Sequence, residues 1–382
     1  MPMSPRATGT SRTRRAPACA LAAAALLLPL LTAPAPAAAA VLDVRGADVS
    51  SLAKNEDFGA GYLTSSGEPA DPLRLLAESG VTHVRLKVWV DPADGYNDHD
   101  RVLEMARRAH DAGLRTLIDF HYSDFWADPG RQTKPAAWAG LSGEELRTAV
   151  YDHTYALCAA LAGQGTPADM VQVGNELNAG MLWPDGSIDD WEELARLLTA
   201  GASAVRDADP ATRVVLHLAE GGDNEQTRWW FDQAVARDVP FDVIGLSYYG
   251  YWHGGIEDLR ANLADAAARY GKDVLVAETA YPFTLDNDDA HPNIIAGTSD
   301  LVPGYPATPE GQSANLRDVM AAVESVPGGR GLGVFYWEPT WTAVAGSGWD
   351  PTDPASGNAW ENQALFDYAD RALPALEVLG GD

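Results

Sequence analysis

The sequence predicts an α/β fold, a single (β/α)8 TIM barrel, on three observations. Short, nearly continuous apolar runs alternate with amphipathic helical stretches; there are eight such runs; and no linker or repeat marks off a second domain. Apolar strands separated by helices imply a parallel sheet buried on both faces. Eight β/α units close naturally into a barrel.

The strands read in order as "VRGADVS" (44–50), "THVRLKVWV" (82–90), "LRTLIDFHYS" (114–123), "MVQVGNELN" (170–178), "RVVLHLAEG" (213–221), "FDVIGLSYYG" (241–250), "DVLVAETAYPF" (273–283) and "GLGVFYWEP" (331–339). Helical stretches such as "HDRVLEMARRAHDAG" and "IEDLRANLADAAARYG" lie between them. Each ends near a glycine that can take the left-handed conformation closing a helix. Gly/Pro-rich segments at 284–309 and 340–362 read as long loops after strands seven and eight.

Residues 1–40 read as a secretory signal peptide, and 41–382 as the catalytic domain. Arg6, Arg12, Arg14 and Arg15 form a basic start, "CALAAAALLLPLL" an apolar centre and "APAPAAAA" a small-residue cleavage region near Ala38 to Ala40. The Arg14-Arg15 pair raises twin-arginine export, but Ala16 and Pro17 follow it where that route wants stronger apolar residues. No later run is long and apolar enough to suggest a membrane span. A secreted, extracellular, monomeric protein is expected. Cys158 is the single cysteine after the leader and sits in the apolar helical pattern "YALCAALAG", so it reads as a small core residue.

The net charge is −27, and loss of the four leader arginines takes it to about −31. Such a chain is a poor partner for nucleic acid or for an anionic membrane.

Barrel chemistry gathers at the carboxyl ends of the strands, and here those ends are crowded with polar and aromatic groups. They carry Asp48; Arg85, Lys87 and Trp89; Asp119, His121 and Tyr122; Asn175, Glu176 and Asn178; His217 and Glu220; Tyr248 and Tyr249; Glu278 and Tyr281; and Trp337 with Glu338. Glu176 ends strand four and Glu278 ends strand seven, across the barrel mouth from each other. Two carboxyl groups across a cleft equip a protein to cleave glycosidic bonds, and a separation of about 5–5.5 Å makes the enzyme retaining. Trp89, Trp126, Trp183, Trp252, Trp337 and Trp341 are candidate platforms for the apolar faces of sugars.

The stretches "GADVSS", "VRLKVW", "DFHYSDFWADPG", "VGNELN", "VAETAYPF" and "WENQALFD" together resemble glycoside hydrolase family 53, the endo-β-1,4-galactanases of clan A. The resemblance runs from about residue 45 to residue 375. It implies that Glu176 is the general acid/base and Glu278 the nucleophile. It also implies that Arg85, with Tyr248 or Tyr249, keeps Glu278 ionised. Asn175 would hold the 2-hydroxyl of the attacked sugar, Trp337 would lie under that sugar, and Asp119, His121 and His217 would surround the same subsites. The expected activity is hydrolysis of β-1,4-galactan in the side chains of pectic (type I) arabinogalactan. Another clan A activity, on mannan, xylan or cellulose, fits the same barrel. A binding protein without turnover is disfavoured by the presence of both glutamates.

The loop "TLDNDDAHPN" (284–293) offers closely spaced oxygens of the kind Ca²⁺ prefers. The resemblance implies a calcium ion held by Asp286, Asp288, Asn293 and the backbone carbonyl of His291. Asp350 or Asp353 in "GWDPTDP" would complete the site from the loop after strand eight. Cysteine and histidine clusters suited to zinc are absent from the sequence.

Overall fold

The computed structural model of the chain describes residues 9–14 and 42–382, and the expected leader lies almost wholly outside the described residues. Val41–Asp382 forms one compact unit. Its centre is a closed barrel of eight parallel strands: β1 (Val44–Asp48), β2 (His83–Val88), β3 (Arg115–Phe120), β4 (Met170–Val173), β5 (Arg213–Leu218), β6 (Val243–Ser247), β7 (Asp273–Thr279) and β8 (Gly331–Tyr336). Each strand pairs with its sequence neighbours, and β1 closes the ring against β8.

Helices connect the strands on the outside. The longest are α1 (His99–Asp111), α2 (Gly143–Gly163), α3 (Trp191–Ala208), α4 (Asn224–Ala236), α5 (Ile256–Tyr270) and α6 (Pro309–Glu324). Asp98, Asp190 and Asp223 cap α1, α3 and α4 by accepting from backbone N–H groups, each cap stabilising by about 0.5–2 kcal/mol. Gly271 ends α5 in the left-handed conformation at φ 64°, as the sequence predicts. Among the described residues no helix is long and apolar enough to cross a membrane. Cys158 is a free, buried thiol whose pKa burial pushes up to about 12, which fits a core role.

Side chains alternate along the strands, and the alternation sets what faces inward. On β2, Val84, Leu86 and Val88 pack outward in the core shared with the helices, while His83, Arg85 and Lys87 face the barrel interior. The lower interior is an apolar plug of Val44, Leu117, Met170, Val215, Val243, Leu275, Ala277, Leu332 and Phe335. Gly46 makes room for it, since a Cβ there would lie 2.2 Å from the Phe335 ring. One step higher, the inward positions become Asp48, Arg85, Asp119, Gln172, His217, Ser247 and Glu278, all buried.

Strand β7 breaks the alternation. Leu246 pairs with Val276 but Ser247 pairs with Glu278, so two residues of β7 oppose one of β6. This bulge lets Ala277 and Glu278 both face inward.

The strands read from sequence run up to five residues too far, as at β4, which stops at Val173 rather than Asn178. Just past four strand ends, Tyr122, Glu176, Glu220 and Glu338 take positive φ, at 49°, 46°, 63° and 53°. Such left-handed backbone costs about 1–3 kcal/mol per residue and clusters at functional sites.

Candidate active site

Arg85 is the hub of the polar upper interior. Its Nη1 lies 2.7 Å from Asp48 Oδ2 and 2.9 Å from Glu278 Oε1; its Nη2 lies 2.8 Å from both Asp119 Oδ2 and Asn175 Oδ1. A planar guanidinium suits this task because its fork of donors serves several acceptors at fixed angles. The other carboxylate oxygen of Glu278 accepts from the Tyr249 hydroxyl at 3.0 Å. Burial raises the pKa of Glu278, and Arg85 opposes that rise most strongly. For Asp119, burial also pushes upward, but Arg85 and His121 outweigh it and hold the carboxyl below its usual value.

Glu176 lives differently. Its Oε1 is hydrogen-bonded to the neutral Ser247 hydroxyl at 2.7 Å, and no cation lies within ion-pairing distance of it among the described residues. Burial, followed by the nearby charge of Glu278, pushes its pKa up to about 8. The pair of carboxyl groups is thus divided into one that tends to keep its proton and one supplied with donors that favour its charge.

The two glutamates open into a cavity of about 400 Å³, also lined by Asp48, Lys87, Trp126, Trp252, Trp337 and Trp360. A neighbouring recess of about 460 Å³ shares Trp126, Trp337 and Trp360 and adds Phe125, Trp341 and Trp349. Lys87 is buried, with its Nζ 3.2 Å from the centroid of Trp126 and 4.3 Å from that of Trp89, a cation–π arrangement. Burial lowers its pKa to about 8. Glu338 accepts from the hydroxyl and N–H of Ser51, and burial, then Asp48, pushes its pKa up to about 8.

Most residues singled out from the sequence meet here. Arg85, Asp119, His121, Asn175, Glu176, Tyr249, Glu278 and Trp337 all line the cavity. His121 donates from Nε2 to Asp119 and accepts the Ala127 N–H at Nδ1. Four expectations are corrected. Tyr248 turns away, its hydroxyl donating to Gly254 O, so Tyr249 alone serves Glu278. His217 is wholly buried and absent from the cavity wall, because Glu176 and Ser247 lie against its two ring nitrogens. Trp89 is likewise buried, stacked on Phe125, and Trp183 bonds to Ala179 O and lines neither space.

Ser247, Gln172 and Trp360 were not singled out. Ser247 and Gln172 follow from the inward alternation with Val243 and Met170; Trp360 comes from an irregular loop and had no periodic signal.

The acidic loop 284–293 is tied to the loop after β8. Glu361 Oε1 accepts from the backbone of Asp288 and Asp289, and Asp289 Oδ2 accepts from Asn358 N at 2.7 Å. Among the described residues, no hydrogen bond between the two loops involves Asp350. Its carboxylate accepts from Thr352 inside its own turn, since Asx-type turns satisfy the acid locally. Asn293 Oδ1 and Glu361 Oε2 are buried oxygens without a hydrogen-bond donor. Burial, then Asp289 and Asp288, raises the Glu361 pKa. No group of three or more His, Cys, Asp or Glu side chains converges to hold a metal among the described residues, so an ion here would depend on Asn293 and main-chain oxygens as well. Orphaned oxygens beside several carboxylates fit a hard cation.

Comparison with known proteins gives a consistent result. A model for glycosyl hydrolase family 53 matches residues 44–379. The endo-beta-1,4-galactanase of Bacillus subtilis (strain 168) is 36% identical, with 88% of this chain and 85% of that protein covered. The arabinogalactan endo-beta-1,4-galactanase of Cellvibrio japonicus is 38% identical, with 88% and 90% covered. Among solved structures, the Ignisphaera aggregans GH53 catalytic domain superposes with a TM-score of 0.85 at 43% identity, covering 89% of this chain and 96% of that one.

Proposed function

The chain belongs to glycosyl hydrolase family 53 and is a glycosidase, and from that premise we propose a secreted, retaining endo-β-1,4-galactanase acting on pectic galactan side chains. The observation that carries the reading is the contrast between the two glutamates. Glu278 has a donor on each oxygen, from Arg85 and Tyr249. Glu176 has a neutral partner and a pKa raised to about 8.

In this mechanism Glu278 attacks the anomeric carbon as Glu176 protonates the departing glycosidic oxygen, giving a galactosyl ester on Glu278. Glu176, now ionised, takes a proton from water, whose oxygen displaces Glu278 and restores the starting configuration. Asn175 Nδ2 spends one hydrogen on Ala127 O and keeps the other for the 2-hydroxyl of the sugar. Trp337 and Trp126 offer apolar faces to the pyranose rings, and the second recess extends the aromatic wall. A strongly acidic chain suits a neutral polysaccharide better than a polyuronate. Asp286, Asp288, Asn293 and the His291 carbonyl would hold Ca²⁺, whose contribution is to tie the long loop after β7 in place.

The test is a polysaccharide panel at matched enzyme loading. Unbranched β-1,4-galactan should lose length early and yield short oligosaccharides, with little action on galactomannan, xylan or β-glucan. Dominant turnover of one of those others would overturn the substrate assignment, and release of single galactose units from the start would overturn endo action.

A further inference from the structure

Behind Glu176 lies a buried chain of polar groups with no direct access to the cavity. Ser247 Oγ is 2.7 Å from Glu176 Oε1 and 2.8 Å from His217 Nε2. Ser247 and His217 are each fully buried. At its other nitrogen, His217 Nδ1 lies 3.0 Å from Gln172 Nε2 and 3.4 Å from the Glu176 backbone N–H, both donors. Gln172 Nε2 has two hydrogens, of which one goes to the Asp119 carboxylate and one remains for Nδ1. Asn175 Oδ1 is also 2.9 Å from Nδ1 and accepts from the Arg85 guanidinium at 2.8 Å. Burial, then Arg85, holds His217 well below its ordinary pKa, so the ring is neutral and carries one proton. With Gln172 Nε2 and the Glu176 N–H as donors to Nδ1, we assign that proton to Nε2.

The consequence follows by counting hydrogens. Nε2–H donates to Ser247 Oγ, and the single hydroxyl hydrogen of Ser247 is then directed to Glu176 Oε1. We propose that Ser247, oriented by His217, is a positioning residue that marks Oε1 as the acceptor oxygen of Glu176 and so confines the catalytic proton to Oε2. The proton given to the leaving group, and later taken from water, then always passes through the same oxygen. This inference rests on Glu176 being the acid/base.

Other titratable or charged groups facing Glu176 and His217 are Glu278 on β7, Arg85 on β2, Asp119 on β3, and Asp128 and His121 on the loop that follows it, with His253 after β6. None of these changes in a Ser247 variant. The hydroxyl stabilises the ionised form of Glu176 and so lowers its pKa. Removing it should move the alkaline limb of kcat/KM upward from its wild-type position. It should also spoil proton delivery where the leaving group needs it.

The experiment compares wild type, Ser247→Ala, Ser247→Thr and Glu176→Ala on galactan and on an activated aryl galactoside, across pH. Ser247→Ala is expected to lose about 10- to 100-fold on galactan, part of the roughly 10²–10⁴ available from general acid catalysis. It should lose far less on the aryl substrate and show the raised alkaline limb; Ser247→Thr, which keeps a hydroxyl, should recover toward wild type. His217→Phe should reproduce the Ser247→Ala pattern. An unmoved limb with equal losses on both substrates would overturn the proposal. If Glu176→Ala itself shows no preference for the activated leaving group, the acid/base assignment falls instead. Should Ser247→Ala fail to fold, Ser247→Cys, near in size but a weaker donor, carries the same comparison.

Discussion

The lower and upper halves of the barrel interior come from the inward-facing positions of the same barrel strands, two to four residues apart, and they solve opposite problems. Below, Val44, Leu117, Met170, Val215, Val243, Leu275 and Phe335 exclude water and ask nothing of chemistry. Above, Asp48, Arg85, Asp119, Gln172, His217, Ser247 and Glu278 are equally buried, yet each must find a partner. Burying a charge is costly unless it is paired and hydrogen-bonded. The difference teaches that the plug supplies stability and the lattice spends part of it on holding two carboxyl groups in unequal states.

The sharpest way to probe the upper half is to remove its carboxylates. Glu278→Ala should lower kcat on the order of 10⁴–10⁶-fold. Azide should restore turnover of an activated aryl galactoside, giving the α-galactosyl azide. Glu176→Ala should keep good leaving groups and give the β-azide. Product configurations swapped between the two variants would reverse the roles of the glutamates.

A truncation below should do the converse. Phe335→Ala empties the space beside Gly46 and should cost about 3–5 kcal/mol of stability, read as a lower denaturation midpoint. The pH profile of the molecules still folded should not move. Glu176→Gln makes the matching contrast above: it removes a buried ionisable group beside Glu278, so the midpoint should stay or rise while activity on galactan collapses. If Phe335→Ala shifts the pH limbs, or Glu176→Gln unfolds the protein, the division between the halves fails.

The smallest effect belongs to the rim. Calcium binding the native state alone adds RT ln(1 + [L]/Kd), about 2.7 kcal/mol at a hundred times Kd. Chelation should lower the melting temperature, and Asp288→Asn should blunt that response. An identical melting curve after exhaustive chelation, with no calcium by elemental analysis, would remove the ion from the loop.

Strand order and the inward face were legible from sequence because apolar alternation is a long-range pattern that eight strands repeat. So were Arg85, Asn175, Glu176 and Glu278, each at the close of such a pattern. Legibility stopped where the backbone leaves the sheet. Glu176 and Glu338 turn left-handed immediately after their strands, and nothing in a run of apolar letters announces that turn. The choice between Tyr248 and Tyr249 depends on which ring turns into the mouth after buried Ser247, a matter of backbone torsion. His217 was expected to meet substrate because a polar residue near a strand end looks exposed in one dimension. In three dimensions Ser247 stands between it and the cavity. The link between the two long loops runs through Asp289 and Glu361, whose contacts span about seventy residues of chain with no local signature.

The extra residue in β7 is a frameshift. A strand is decoded two letters at a time, one inward and one outward, and Ala277 inserts a letter after which the decoding changes phase. Were the alternation unbroken through Ala277, Glu278 would be addressed to the helix layer and Thr279 would occupy the mouth. The position of this glutamate is therefore a property of counting rather than of composition. A transplant of the strand into another barrel would carry the glutamate to the right face only if it carried the miscount as well.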